Sequence, residues 1–205
     1  LAAICWTNTL PNLPPWGASS PVLGNNPLVI AIPRRDGAQV VLDMALSQFS
    51  YGTLAASSAE GKQLPVPGGY DLAGRLTTDP AAIEASQRAL AIGYWKGSGL
   101  SLMLDMLAAM LSGGSATHQI PPQPERESGV SQVFLAFDPA KFAAPEELDR
   151  IAAGILESVR QAIPIEPARP PRYPGEHTLQ LREENMRLGV PVDSAMWDSL
   201  QALSF

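Results

Sequence analysis

The period of apolar positions changes several times along this chain, and each change marks an element. Residues 2–7 form a short, nearly continuous apolar run that predicts a buried strand. Pro11, Pro14-Pro15-Trp16-Gly17 and Gly24-Asn25-Asn26-Pro27 then rule out a helix or a central strand. Further strands are predicted over residues 28–32 and 40–42, joined by the turn Arg34-Arg35-Asp36-Gly37. Residues 43–56 carry Met44, Ser47 and Tyr51 at helical spacing and predict a helix, whereas residues 57–79, with Pro65-Val66-Pro67-Gly68-Gly69 and Leu72-Ala73-Gly74, predict a loop. Helix 98–111 leads into a long polar and glycine-rich loop over 113–129, and a strand over 133–137 ends at Asp138-Pro139. Pro145-Glu146-Glu147 opens an amphipathic helix bearing Leu148, Ile151, Ala152, Ile155, Leu156 and Val159. A proline-rich crossing over 164–175 precedes a helix over 177–188, and a last helix is capped by Asp193 and carries Trp197, Leu200 and Leu203. Strands and helices intermix, so the fold class is α/β or α+β with a mixed strand order.

The chemistry concentrates in Gly93-Tyr94-Trp95-Lys96-Gly97-Ser98-Gly99, which brings a lysine and flexible glycines to the start of a very apolar helix. Two readings stand side by side. In one, first-turn N–H groups, the helix dipole and Lys96 cradle a phosphate, and glycine permits close approach. In the other, Ser98 is an N-cap and Lys96 is solvated. Leu100, Met103, Leu104, Leu107, Met110 and Leu111 follow an i, i+3, i+4, i+7 series with Leu102 and Met106 opposite, and Asp105 is the one charge before Ser112-Gly113-Gly114. Such a helix is expected to be buried in a core or between subunits.

Composition narrows the classes. A chain of 205 residues with 45% hydrophobic and 17% charged content suits one large domain or two small ones. A net charge of −6 with three lysines and eleven scattered arginines argues against a nucleic-acid surface. No apolar run reaches the roughly 18 residues of a membrane span, and no signal peptide is visible. Cys5 is a lone cysteine, which fits a reducing cytoplasm, and with only His118 and His177 beside it no metal-ligand spacing arises. The start, Leu1-Ala2-Ala3-Ile4-Cys5-Trp6, has no initiator Met and reads as the middle of a strand, so a C-terminal fragment is expected.

In their order, Cys5-Trp6-Thr7-Asn8, Pro14-Pro15-Trp16-Gly17-Ala18, Asn26-Pro27-Leu28, Asp43-Met44, Phe49-Ser50-Tyr51-Gly52, Gln63-Leu64-Pro65-Val66, the 93–99 segment, Ser131-Gln132 and Pro174-Gly175 resemble the type-2 malate/L-lactate dehydrogenase family, also called L-sulfolactate dehydrogenase-like. The likeness runs over essentially the whole chain. It implies an α/β fold, a mixed sheet flanked by helices, that binds NADH or NADPH without a Rossmann motif, with residues 1–205 forming that cofactor domain and its C-terminal helices. The sequence agrees on the negative point, since Gly97-Ser98-Gly99 meets Leu102 where a third glycine would stand. Many relatives acting on malate or lactate read Gly-Gly-Tyr-Lys-Gly-Tyr-Gly where this chain reads Tyr94-Trp95-Lys96-Gly97-Ser98-Gly99, which favours a sugar-acid branch.

By that resemblance the dinucleotide is expected against Gln39, Val40, Val41, Leu42, Asp43, Met44 and Ala45, against Trp95 and Lys96, and against Gly175, Glu176 and His177. Lys96 suits a phosphate and Trp95 an aromatic ring or apolar face. Where relatives read Gly-His-Glu this chain reads Gly175-Glu176-His177, which leaves only the glycine's role transferable. The family's catalytic histidine sits in an upstream Ser-His-Gly segment not found in these residues, and neither His118 nor His177 matches it. An imidazole suits the task, as its pKa of about 6.5 allows it to give and take a proton near neutrality. Asp43 is either a helix N-cap or a carboxylate at a strand end supporting the absent histidine. Asn8 either bonds substrate or holds a turn, Trp16 either lines the substrate site or pins its loop, and both histidines are expected in solvent. The expected activity is hydride transfer from NAD(P)H to the keto group of a 2-oxo or 2,3-dioxo acid by a homodimer. Alternatives are a non-catalytic nucleotide-binding remnant and a malate, lactate, sulfolactate or cyclic imino acid enzyme of the same family.

Overall fold

The computed structural model describes residues 1–123 and 127–203. The chain divides into two compact units, one of Leu1–Ile32 with Val41–Phe142 and the other of Pro33–Val40 with the residues from Ala143 onward. The first unit is built on β1 (Ala2–Thr7), β2 (Leu28–Ile32), β3 (Val40–Met44) and β6 (Gln132–Phe137), in the order β3-β2-β1-β6. Central β1 runs antiparallel to both neighbours, with Ile4 opposite Ile30 on one side and Leu135 on the other. Helix α3 (Trp95–Ser112) lies against β1 and β6, and the Trp6 indole donates to Leu104 O at 3.1 Å. Trp6, Leu28, Leu46, Leu104, Ala108 and Val133 form the core beneath it. A second core of Leu13, Leu23, Leu54, Leu64, Ile83, Ala89 and Ala91 sits under α1 (Tyr51–Ala59) and α2 (Pro80–Ser86).

Three expectations are corrected here. The helix over 43–56 is instead the end of β3, a paired segment and then α1. Leu46 N donates to Asn25 O at 2.7 Å and Gln48 N to Leu90 O at 2.7 Å, so these donors are engaged across the fold and helix bonds can begin only past Ser50. Ser50 Oγ then caps α1 by accepting from Thr53 N at 3.1 Å. Asp43 is therefore a strand residue and caps nothing. The region read as a loop holds the short hairpin β4 (Gly69–Tyr70) and β5 (Leu76–Thr77), turned at Gly74 with φ +77°. Helix α2 follows it, started by Asp79 as cap and Pro80 at the first position.

The burial of α3 is the third correction. Its inward stripe is Gly97, Ser98, Ser101, Leu104, Asp105 and Ala108, a small and polar series. Leu102, Met103, Met106, Met110 and Leu111 are 46–75% exposed. Small side chains win the inward face because backbone must come close there: Ser101 Oγ donates to Gly24 O at 2.6 Å, and the Asn26 amide donates to Ser101 O at 2.9 Å.

The second unit carries α4 (Pro145–Arg160), α5 (Glu176–Leu188) and α6 (Ser194–Ala202). Arg35 pairs with Glu146 at 2.8 Å and Asp149 at 3.6 Å, tying the 33–40 turn to the first turn of α4. Asp193 caps α6 as the sequence predicts, accepting from Met196 N at 3.1 Å. Of the apolar stripe on α4, Leu156 is buried whereas Ile151 and Ile155 remain exposed.

Candidate cofactor and substrate site

The start of α3 gathers most of the candidate side chains in the first unit. Ile92 N donates to Leu46 O at 2.8 Å, which fastens the segment leaving β3 beside the segment that enters α3. Gly93 and Tyr94 both take φ of 59° and turn the chain sharply into the helix. Tyr94 is the cap, and Ser98 is not: its hydroxyl accepts from Trp16 N at 3.0 Å. The Trp16 ring packs at 57° and 5.2 Å on Tyr94, so the proline-rich loop is pinned to the helix start while the indole stays 52% exposed.

The backbone half of the phosphate-cradle reading narrows to one donor, the Trp95 N–H, which has no partner among the described residues. Lys96 N donates to Gly93 O, Gly97 N to Ile92 O and Ser98 N to Tyr94 O, so these first-turn donors already have partners. Nor does Gly97 make room for a ligand; a Cβ there would meet Ile92 O at 2.2 Å, so its glycine serves the turn into the helix. The side chains are another matter. Trp95 is 65% exposed, and Lys96 is exposed with no acidic partner among the described residues. An aromatic face and a free ammonium thus stand side by side at the positive end of an 18-residue helix.

Val41, Leu42 and Met44 are half-buried in β3, Ala45 just follows it, and Asp43 is exposed, its carboxylate without a hydrogen-bond partner among the described residues. Asn8 is a correction. It is fully buried, its amide donates to Asp105 Oδ1 at 2.8 Å and Ser115 O at 2.7 Å, and its oxygen accepts from Ser131 N at 2.7 Å. Every polar group of Asn8 is occupied, so it binds no substrate. Asp105 Oδ1 also accepts from Thr117 N at 2.9 Å, which makes this pair the tie between β1, α3 and the 113–131 loop.

The remaining candidates belong to the second unit. The Gln39 amide closes its own turn, accepting from Arg34 N at 2.7 Å and donating to Arg34 O at 3.3 Å, and Val40 starts β3. Gly175 takes φ +89° as cap of α5, a geometry that favours glycine. Glu176 is committed to Arg160 at 2.8 Å, and this hydrogen bond raises the already high pKa of the guanidinium, which also stacks 5.1 Å over the Tyr173 ring. His177 and His118 are both exposed. Among the described residues no group of three His, Cys, Asp or Glu is placed to hold a metal ion, and no helix is long and apolar enough to cross a membrane.

Comparison with known proteins decides the family. The model of the malate/L-lactate dehydrogenase family matches residues 1–201. The chain belongs to that family. It is 41% identical to 2,3-diketo-L-gulonate reductase of Citrobacter koseri over 98% of this chain and 60% of the reductase. The Klebsiella pneumoniae reductase is 42% identical with the same coverage, so the chain spans about 60% of the length of these relatives. Among solved structures, the sulfolactate dehydrogenase from Methanocaldococcus jannaschii superimposes with a TM-score of 0.81 at 27% identity, over 97% of this chain and 57% of that one. The Δ1-piperideine-2-carboxylate reductase from Pseudomonas syringae gives 0.79 at 29% identity over 99% and 60%. The Entamoeba histolytica malate dehydrogenase, at 19% identity, shares the fold with a TM-score of 0.91.

Within this malate/L-lactate dehydrogenase fold, two residues at the α3 start escaped the sequence reading. Tyr94 backs the Trp16 ring and Ser98 holds the Trp16 backbone. Both lie in the segment already singled out, but their partner stands 82 residues away for Ser98, and no local pattern points to it.

Proposed function

We propose that this protein is a nicotinamide-dependent reductase that delivers a hydride to the keto group of 2,3-diketo-L-gulonate, and that this chain supplies the cofactor surface. The observation that carries the reading is the exposed Trp95–Lys96 pair beside the end of β3, in a chain 41% identical to a reductase of that name. The residues present fit such a cofactor. Lys96 offers a full charge to a phosphate and Trp95 a flat apolar face to a ring. When bound, the reduced nicotinamide supplies the hydride, and the protein's part is to hold and align it against the carbonyl. The exposed Trp16 indole beside Tyr94 is the wall we assign to the substrate, and Asp43, exposed in β3, is the carboxylate we assign to supporting the catalytic acid. The test is kcat/KM of the intact protein for 2,3-diketo-L-gulonate, pyruvate, oxaloacetate and Δ1-piperideine-2-carboxylate, each with NADH and NADPH. The diketo acid should win by about tenfold or more, because a site built for hydroxyls leaves them unpaired over a short keto acid. A win for oxaloacetate or the cyclic imine would overturn the substrate assignment.

We also assign the outer face of α3 to a second copy of the chain. Leu102, Met103, Met106 and Met110 form an uncharged stripe, since the helix's acid, Asp105, faces inward. Such a surface is self-complementary about a two-fold axis and adaptable through its methionines. Met106→Glu with Met110→Glu should convert a dimer to a monomer in sedimentation; an unsubstituted protein that is already monomeric at micromolar concentration would refute the assignment.

A further inference from the structure

A cavity of about 320 Å³ opens in the first unit between Gly17, Ala18, Ser19, Tyr70, Gly74 and Arg88. None of these residues is acidic, in a chain whose net charge is −6. Arg88 is half-buried, and among the described residues its guanidinium has no carboxylate or carbonyl partner, unlike Arg35, Arg75, Arg150 and Arg160. The hydroxyl of Tyr70, a half-buried residue, and the backbone N–H and hydroxyl of Ser19, an exposed one, are likewise without a protein partner among those residues. The wall is rigid. Tyr70 N donates to Arg88 O at 2.9 Å, Ser86 Oγ donates to Tyr70 O at 2.5 Å and accepts from Arg88 N at 3.2 Å, and Gln87 is held at φ 55°. A Cβ on Gly69 would meet Arg88 O at 2.6 Å, so the close approach of the two segments is built into the sequence.

We propose that this cavity binds a small hydroxylated monocarboxylate, with Arg88 on the carboxylate and Tyr70 and Ser19 on its hydroxyls. A half-buried guanidinium without a counter-ion is a fork-shaped donor matched to a planar carboxylate. One cation lines the cavity, which balances the single charge of a monocarboxylate and half that of a doubly charged phosphate. The assignment does not depend on the cofactor surface at Trp95 and Lys96.

The experiment is a titration of the intact protein with gluconate, followed by the amide shifts of Gly17, Ser19 and Gly74 in 1H–15N spectra, with acetate and inorganic phosphate as comparators. Gluconate should shift all three saturably and more tightly than acetate. Arg88→Gln should weaken it about tenfold or more and Tyr70→Phe less, while Arg88→Lys retains part of the affinity and, with Tyr70→Phe, reports on the site should Arg88→Gln fold poorly. Lys96→Ala should leave the gluconate titration unchanged even where it abolishes cofactor binding, which separates failure of this site from failure of the cofactor reading. Shifts driven by phosphate alone, or equal gluconate affinity in Arg88→Gln and Arg88→Lys and the parent, would overturn the proposal.

Discussion

Asn8→Ala should destabilise the fold by about 3 kcal/mol or more, measured by urea denaturation. The amide is fully buried and makes three hydrogen bonds, one of them to the carboxylate of Asp105, which is itself 7% exposed. Truncation would leave Ser131 N without its partner, reduce Ser115 O to the Ser131 hydroxyl as donor, and strip a buried carboxylate of a donor, keeping only Thr117 N on Asp105 Oδ1. Losing one partner of a buried bond costs more than the bond's net worth, because the other group stays desolvated. Asn8→Asp should be at least as damaging at neutral pH and recover in acid, since it sets a second carboxylate against Asp105 and protonation of one relieves the repulsion. A loss below about 1 kcal/mol for Asn8→Ala would show that water replaces the amide and that the tie is dispensable.

The same residue shows where the sequence stops being legible. The strands at 2–7, 28–32 and 133–137 and the helices at 145 and 193 were readable because their determinants are local: an apolar run, a proline with acids, a capping aspartate. The inward face of α3 was not, because hydrophobicity alone points to Leu100, Met103 and Leu107. What decides it is a set of polar partners 75 to 98 residues away, Asn26 on Ser101, Asn8 on Asp105 and the Trp6 indole on Leu104 O. Asn8 therefore read equally well as a ligand contact. The 43–56 segment failed for a related reason: Asn25 O and Leu90 O claim its donors, and a weak helical spacing yields to tertiary pairing. Helix α2, by contrast, carried an overlooked local signal in Asp79-Pro80. At the candidate site the reading of Trp95 and Lys96 came from side-chain chemistry, and they remain exposed. The backbone cradle, which depends on where the helix begins, shrinks to the Trp95 N–H because Tyr94 rather than Ser98 is the cap.

Lys96→Ala should weaken binding of the reduced nicotinamide cofactor by about 1.5 to 3 kcal/mol, or roughly 10- to 150-fold, read from quenching or enhancement of cofactor fluorescence. The magnitude follows from the division of labour at the start of α3. Because the N–H groups of Lys96, Gly97 and Ser98 already serve Gly93, Ile92 and Tyr94, the ammonium and the Trp95 N–H are the donors that remain for a phosphate in this turn, and only the ammonium carries a full charge. A helix with free first-turn amides would share the load and lose less on removal of the lysine. Lys96→Arg should recover much of the affinity, since the charge is kept. Trp95→Ala should cost less than Lys96→Ala and do so independently of salt, as an apolar face carries no screened charge, whereas the contribution of Lys96 at this exposed position should shrink as ionic strength rises. Equal affinities for Lys96→Ala and the parent at low salt would remove the phosphate from Lys96 and, with it, the main support for placing the cofactor at the start of α3.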